Sequence, residues 1–152
     1  RFQARVARFQ NCYGPQGTWK GGREKAPAAL CRKVAESTDG TIEVWGDGTA
    51  VRSFVYVDDL VDGVRRLVDS DCSDPTNIGT REYVSVRELV QLVASAAGKE
   101  IDPVWVPGPV GVQNRNFSND RIESLGFDPK FKLAEGLAHT YRWIANQVTQ
   151  RP

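Results

Sequence analysis

Residues 41–68 read TIEVWGDGTAVRSFVYVDDLVDGVRRLV, and this stretch decides the fold class. Ile42–Trp45 and Ser53–Val57 are short runs rich in β-branched and aromatic residues, the composition of strands. Gly46-Asp47-Gly48 lies between them, and its glycines suit a tight turn. Taken alone, the segment reads as a hairpin. Asp58 is expected to cap a helix, because Leu60, Val61, Val64, Leu67 and Val68 then recur at helical spacing.

Outward from this segment the alternation continues. On the N-terminal side, Arg5–Phe9 (RVARF) reads as a buried strand ending at the turn Tyr13-Gly14-Pro15. A long glycine-rich loop, Gly14 to Gly22, follows. Pro27 marks a helix start, because proline fits the first helical position where its missing N–H is not needed. Ala28, Ala29, Leu30, Cys31 and Val34 supply its apolar face, through about Glu36. On the C-terminal side, Thr76–Ile78 is a short strand. Ser85 and Glu88 make a capping box, with Val84 able to staple onto Leu89, and the helix stops at Gly98. A strand Ile101–Val106 ends at Pro107-Gly108-Pro109. Ser118 can cap a short helix holding Ile122 and Leu125, closed by Gly126. Leu133, Leu137, Tyr141, Ala145 and Val148 trace one face of a last helix. The class is α/β, or mixed α+β, in a single domain spanning residues 1–152.

The bulk properties narrow the function. The 152 residues are 40% hydrophobic and 26% charged, which excludes a disordered chain. Twenty basic side chains against nineteen acidic ones leave a net charge of +1, so no global field calls for nucleic acid or an anionic membrane. No apolar run approaches the roughly 20 residues that span a bilayer, and Arg1–Arg8 lacks the apolar core of a signal peptide. Cys12, Cys31 and Cys72 are an odd, widely spaced set, which reads as reduced thiols in a cytoplasm. His139 is the one histidine, so no metal set is expected, and a structural role suits it. The four tryptophans are expected to pack the core or interfaces. A chain that opens RFQARVARFQ and contains no methionine reads as a piece of something larger.

Four segments could carry chemistry. Lys20, Arg23 and Lys25 stand just ahead of the Pro27 helix, where free backbone N–H groups and the dipole favour an anion. At Lys25 the helix end and Arg23 disfavour added positive charge, as a proton-transfer group needs, and partial burial would act the same way. A solvated charged loop is the plainer account. Lys33, with Arg32 beside it, lies about 12 Å further along the helix; an exposed helix face explains the pair equally well. Arg52, after the glycine turn and next to Ala50 and Val51, could aim its fork at a phosphate. Arg115 lies in a polar loop, Gly111 to Asn116. Neither G-x-x-x-x-G-K-[ST] nor G-x-G-x-x-G occurs.

Asn11-Cys12-Tyr13-Gly14-Pro15, then Trp45-Gly46-Asp47-Gly48 with Arg52 to Asp59, then Asn77-Ile78-Gly79, together resemble the C-terminal half of the extended short-chain dehydrogenase/reductases that act on nucleotide sugars. TWKGGREKAP and GPVGVQNRN resemble the branch that inverts two carbons of a guanosine-diphosphate hexose. The resemblance implies the substrate-binding portion of a Rossmann-type enzyme that lacks its cofactor domain, with residues 1–14 giving a strand to the absent domain's sheet. It implies NAD held by that domain, a nucleotide-diphosphate sugar as partner and a homodimer when intact. By the same resemblance Lys25 is catalytic, Asn11 and Glu24 to Ala26 hold the sugar, and Lys33, Ala50, Val51, Arg52 and Arg115 meet the nucleotide diphosphate. Ala50 and Val51 are smaller or less polar than that role suggests. A 4-epimerase, a 4,6-dehydratase and a non-catalytic nucleotide-sugar-binding or association module are the rival expectations.

Overall fold

A computed structural model describes residues 3–108, 115 and 117–150. The chain alternates strands β1 (Ala7–Phe9) and β2 (Asn11–Tyr13), helix α1 (Ala26–Glu36), strands β3 (Thr41–Trp45) and β4 (Val51–Tyr56), and helix α2 (Val57–Asp69). It continues through β5 (Thr76–Ile78), β6 (Tyr83–Ser85), α3 (Val86–Ala97), β7 (Asp102–Val106), α4 (Asp120–Ser124) and α5 (Leu133–Thr149). The mixed α/β class is as expected.

The 41–57 segment is not a hairpin. β3 pairs in parallel with β7, Trp45 opposite Val106, whereas β4 pairs in parallel with β2 and antiparallel with β6. Gly46 and Gly48, both at positive φ, carry the chain from one sheet to another instead of folding it back. A side chain at Gly48 would collide with the Trp105 indole, whose ring atoms lie 2.6 to 3.0 Å from its Cβ position. The positive φ and this close approach, not a two-residue turn, explain that glycine.

β1 and β2 are separated by Gln10 alone, and there the chain changes sheet: β1 pairs with β5, β2 with β4. β2 and β6 went unpredicted because Asn11 and Ser85 break the apolar pattern that marks a strand.

Two apolar clusters form. One gathers Tyr13, Leu30, Val34, Val44, Phe54, Leu89, Leu137 and Ile144 where α1, α3 and α5 pack together. The other holds Val55, Leu60, Leu67, Ile78, Ile122 and Phe127. β4 is the wall between them, because successive side chains of a strand point to opposite faces.

Local expectations fare unevenly. The Ser85–Glu88 capping box forms, and Gly98 ends α3 in the left-handed conformation. Asp58 does not cap α2: Tyr56 stands at the N-cap, Asp58 lies in the first turn and Asp59 is buried. The Asp59 carboxylate accepts from the amides of Lys130 and Phe131, pinning the approach to α5. The apolar face of α2 is narrower than its valines suggest, for Val61 and Val68 are 54% and 60% exposed. The helix instead presses Gly63 against β5, where an added Cβ would lie 2.6 Å from Ile78. Ser118 is not the N-cap of α4, which is Asn119, yet its hydroxyl accepts from the Asp120 amide. α5 buries Leu133, Gly136, Leu137, Thr140 and Ile144, a face rotated from the expected one, with Tyr141, Ala145 and Val148 at its flank.

Candidate functional site

The first turn of α1 opens beside a cleft of about 680 Å³. Lys20, Gly21, Gly22 and Glu24 of the preceding loop form one wall. Ala26, Ala29, Leu30, Arg32, Lys33 and Glu36 of α1 form the second, and Val44, Trp45 and Val86 close the third. The cleft exists because α1 turns its Cys31–Val34 stripe into the core and leaves Ala29 and Lys33 on the other side.

Its charges are organised. Arg32 bridges Glu24 at 3.3 Å and Glu36 at 2.8 Å, while its Nε is buried without a hydrogen-bond partner among the described residues. The Glu24 carboxyl lies below the usual carboxylate range because it accepts from its own amide, from the Gly22 amide and from Arg32. Lys33 Nζ donates to the Glu43 carbonyl at 2.6 Å. Lys20 Nζ stands 5.1 Å from the Trp19 ring centroid. A cleft with cations, anchored carboxylates and apolar floor residues suits a polar ligand that also carries a flat apolar part.

Of the residues expected from the sequence, Glu24, Ala26 and Lys33 line this cleft. Lys25 occupies the N-cap of α1 between two lining residues, exposed, with its carbonyl accepting from Ala29. The partial burial expected of it is absent in this chain. Lys25 and Lys33 do not share a face, because eight helical residues turn roughly 80° beyond two full turns. Ala50 reaches the wall indirectly, its carbonyl accepting from the Val86 amide. Val51 and Arg52 are half-buried in β4, the Arg52 guanidinium donating to the Val51 carbonyl, and Asn11 Nδ2 donates to the Ser53 carbonyl. Arg115 is exposed, and residues 109–114 and 116 of its loop lie outside the described residues.

Sequence reasoning missed Trp45. It is 66% exposed, not core, and lies over Gly108, where a Cβ would come within 2.6 Å of it. The signal was present: Ile42 and Val44 alternate inward, which sends Trp45 to the other face. Trp19, Trp105 and Trp143 pack against the larger cluster, as expected.

Other reactive groups contribute less. Burial pushes the half-buried Cys12 thiol above its ordinary value and the Cys31 thiol to about 12, which disfavours both thiolates. His139 is exposed and sits edge-on to Tyr56 and Phe131. Among the described residues no group of three His, Cys, Asp or Glu side chains could hold a metal ion. No described helix is long and apolar enough to cross a membrane.

Residues 1–79 match the NAD dependent epimerase/dehydratase family. The chain belongs to that family. It is 51% identical over 147 residues to GDP-mannose 3,5-epimerase 1 of Oryza sativa subsp. indica, covering 96% of this chain and 39% of the rice protein. Probable GDP-L-fucose synthase 1 of Oryza sativa subsp. japonica is 34% identical, with 97% of this chain and 46% of that protein covered. Among solved structures, a UDP-glucose 4-epimerase of Thermotoga maritima with UDP-glucose superposes at a TM-score of 0.85. It is 29% identical and covers 94% of this chain and 46% of its own. The chain thus spans less than half the length of these relatives. The G-x-G-x-x-G fingerprint of a dinucleotide site does not occur in the sequence.

Proposed function

We propose that this chain is the substrate-side portion of an NAD-dependent epimerase of the GDP-mannose 3,5-epimerase type, inactive without the cofactor-binding part. The observation that carries the reading is the 51% identity to the rice and Arabidopsis thaliana enzymes of that name across 96% of this chain. The cleft supports it, being built from the loop and helix that contain TWKGGREKAP. In the intact protein we place NAD on the residues that precede this portion, with a cytoplasmic homodimer as the working form. Three free thiols suit a reducing compartment.

NAD supplies a hydride acceptor and donor at carbon 4 of the hexose when bound. Once carbon 4 is a ketone, the hydrogens on carbons 3 and 5 become acidic, and inversion needs one group to remove a proton and another to return one on the opposite face. Lys25 is the group this chain provides. Its place in the chain, between Glu24 and Ala26 of the cleft lining, supports that role. Glu24, Ala26 and Asn11 hold the sugar, while Lys33, Arg52 and Arg115 hold the diphosphate with Ala50 and Val51 alongside.

The test is a chimera in which this chain follows the N-terminal part of the rice relative. In D2O the NAD-loaded chimera is expected to exchange deuterium into carbons 3 and 5 of GDP-mannose. Lys25→Ala should slow that exchange by roughly 10²- to 10⁴-fold, a far larger effect than any loss of GDP-mannose binding. Normal exchange in Lys25→Ala removes Lys25 from the mechanism, and an NAD-loaded chimera that never exchanges overturns the reading. The match to the Thermotoga maritima enzyme favours a second reading, a 4-epimerase on another nucleotide sugar, which has no need of Lys25. Ligand-detected NMR with GDP and UDP sugars separates the two.

A further inference from the structure

Gln10 stands where the chain leaves one sheet for another, and only 7% of it is exposed. Its carboxamide makes three hydrogen bonds in that buried space. The oxygen accepts from the Ser53 hydroxyl at 2.7 Å and from the Thr80 amide at 3.1 Å. The nitrogen donates to the Asn119 side-chain oxygen at 3.2 Å. The orientation of the amide is unambiguous, because a backbone N–H can only donate.

The fold makes room for this side chain. Gly79 lies against it, and a Cβ at that position would come within 1.9 Å of Gln10 Cδ. Asn119 is itself 1% exposed, and its Nδ2 has no hydrogen-bond partner among the described residues.

What the contact does is join segments. Gln10 precedes Asn11, Ser53 follows Arg52, and Asn119 ends the stretch that carries Arg115. One carboxamide therefore ties the residues next to Asn11 and Arg52 to each other and to the N-cap of α4, four positions after Arg115 in the sequence. We infer that Gln10 is a positioning residue for substrate binding, acting through Asn11, Arg52 and Arg115 without touching the ligand. This inference rests on the epimerase reading.

The experiment uses the NAD-loaded chimera with GDP-mannose. Gln10→Met keeps the unbranched path past Gly79 and removes the hydrogen bonds, taking away the acceptor of the Ser53 hydroxyl and the Thr80 amide. It is expected to raise KM about tenfold with kcat within about twofold, the pattern of lost ground-state binding. Ser53→Ala, which removes one of the three bonds and threatens folding less, is expected to raise KM about threefold. Ile144→Ala, in the distant core of α5, serves as a control that lowers Tm without entering the network. Unchanged KM in both Gln10→Met and Ser53→Ala overturns the proposal, as does an equal rise in the Ile144→Ala control. An unmodified chimera that binds NAD but does not turn over GDP-mannose overturns the epimerase reading and this inference with it.

Discussion

Gly79 shows how much one residue can decide. It follows β5 in Asn77-Ile78-Gly79 and has no positive φ to explain it. Its reason is volume: the space a methyl group would take is filled by Gln10. Gly79→Ala is therefore expected to destabilise the fold by about 1–3 kcal/mol, because the obstructed side chain is held by three hydrogen bonds and cannot step aside. Urea midpoints before and after the substitution measure it, and an unchanged midpoint would show that Gln10 has a second position. Gly136 is under the same constraint from the Tyr13 hydroxyl, 2.2 Å from its Cβ position. Neither constraint can be read from a one-dimensional pattern, since each partner lies more than sixty residues away in the chain.

At the scale of the element, α3 is the segment whose ends follow most directly from its residues. The Ser85 hydroxyl accepts from the Glu88 amide at 3.1 Å, and the Glu88 carboxylate accepts from the Ser85 amide at 2.7 Å. Ser85→Ala should cost about 1 kcal/mol. Hydrogen bonds from the Ser85 amide and then its hydroxyl hold the Glu88 carboxyl below its ordinary value of 4.5. A folded-state value below the unfolded one means that the contribution is complete above pH 4.5 and disappears as pH falls through the depressed value. The stability difference between the parent and Glu88→Gln, followed by urea denaturation, should be constant at neutral pH and fade in acid. A difference that grows on acidification would contradict this sign. In α2 the same kind of reading fails. Its valines satisfy helical spacing, but β5 comes close enough to demand Gly63, and that contact, not the count of apolar residues, selects the buried face.

Across the whole molecule, the exposed apolar side chains are the informative ones. Val6 and Phe9 flank or belong to β1 and are 48% and 57% exposed, and α2 adds Val61 and Val68. Among the described residues β1 pairs only with β5, so its other edge offers unpaired backbone groups beside apolar side chains. The isolated chain is expected to self-associate, and the chimera to be free of this; a monodisperse monomer by light scattering would contradict it. The alternating class, the capping box, the Gly98 stop, the Pro27 helix start and the residues that carry the family resemblance were all legible in the sequence. They depend on neighbours within a few positions, where backbone geometry and hydrogen bonding act locally. Pairing was not legible. Whether β3 meets β4 or β7, whether Trp45 faces the core or a cleft, and which of Lys25 and Lys33 lines that cleft depend on parallel partners far along the chain. A strand's composition states that it is buried but not against what, so those answers belong to the tertiary structure.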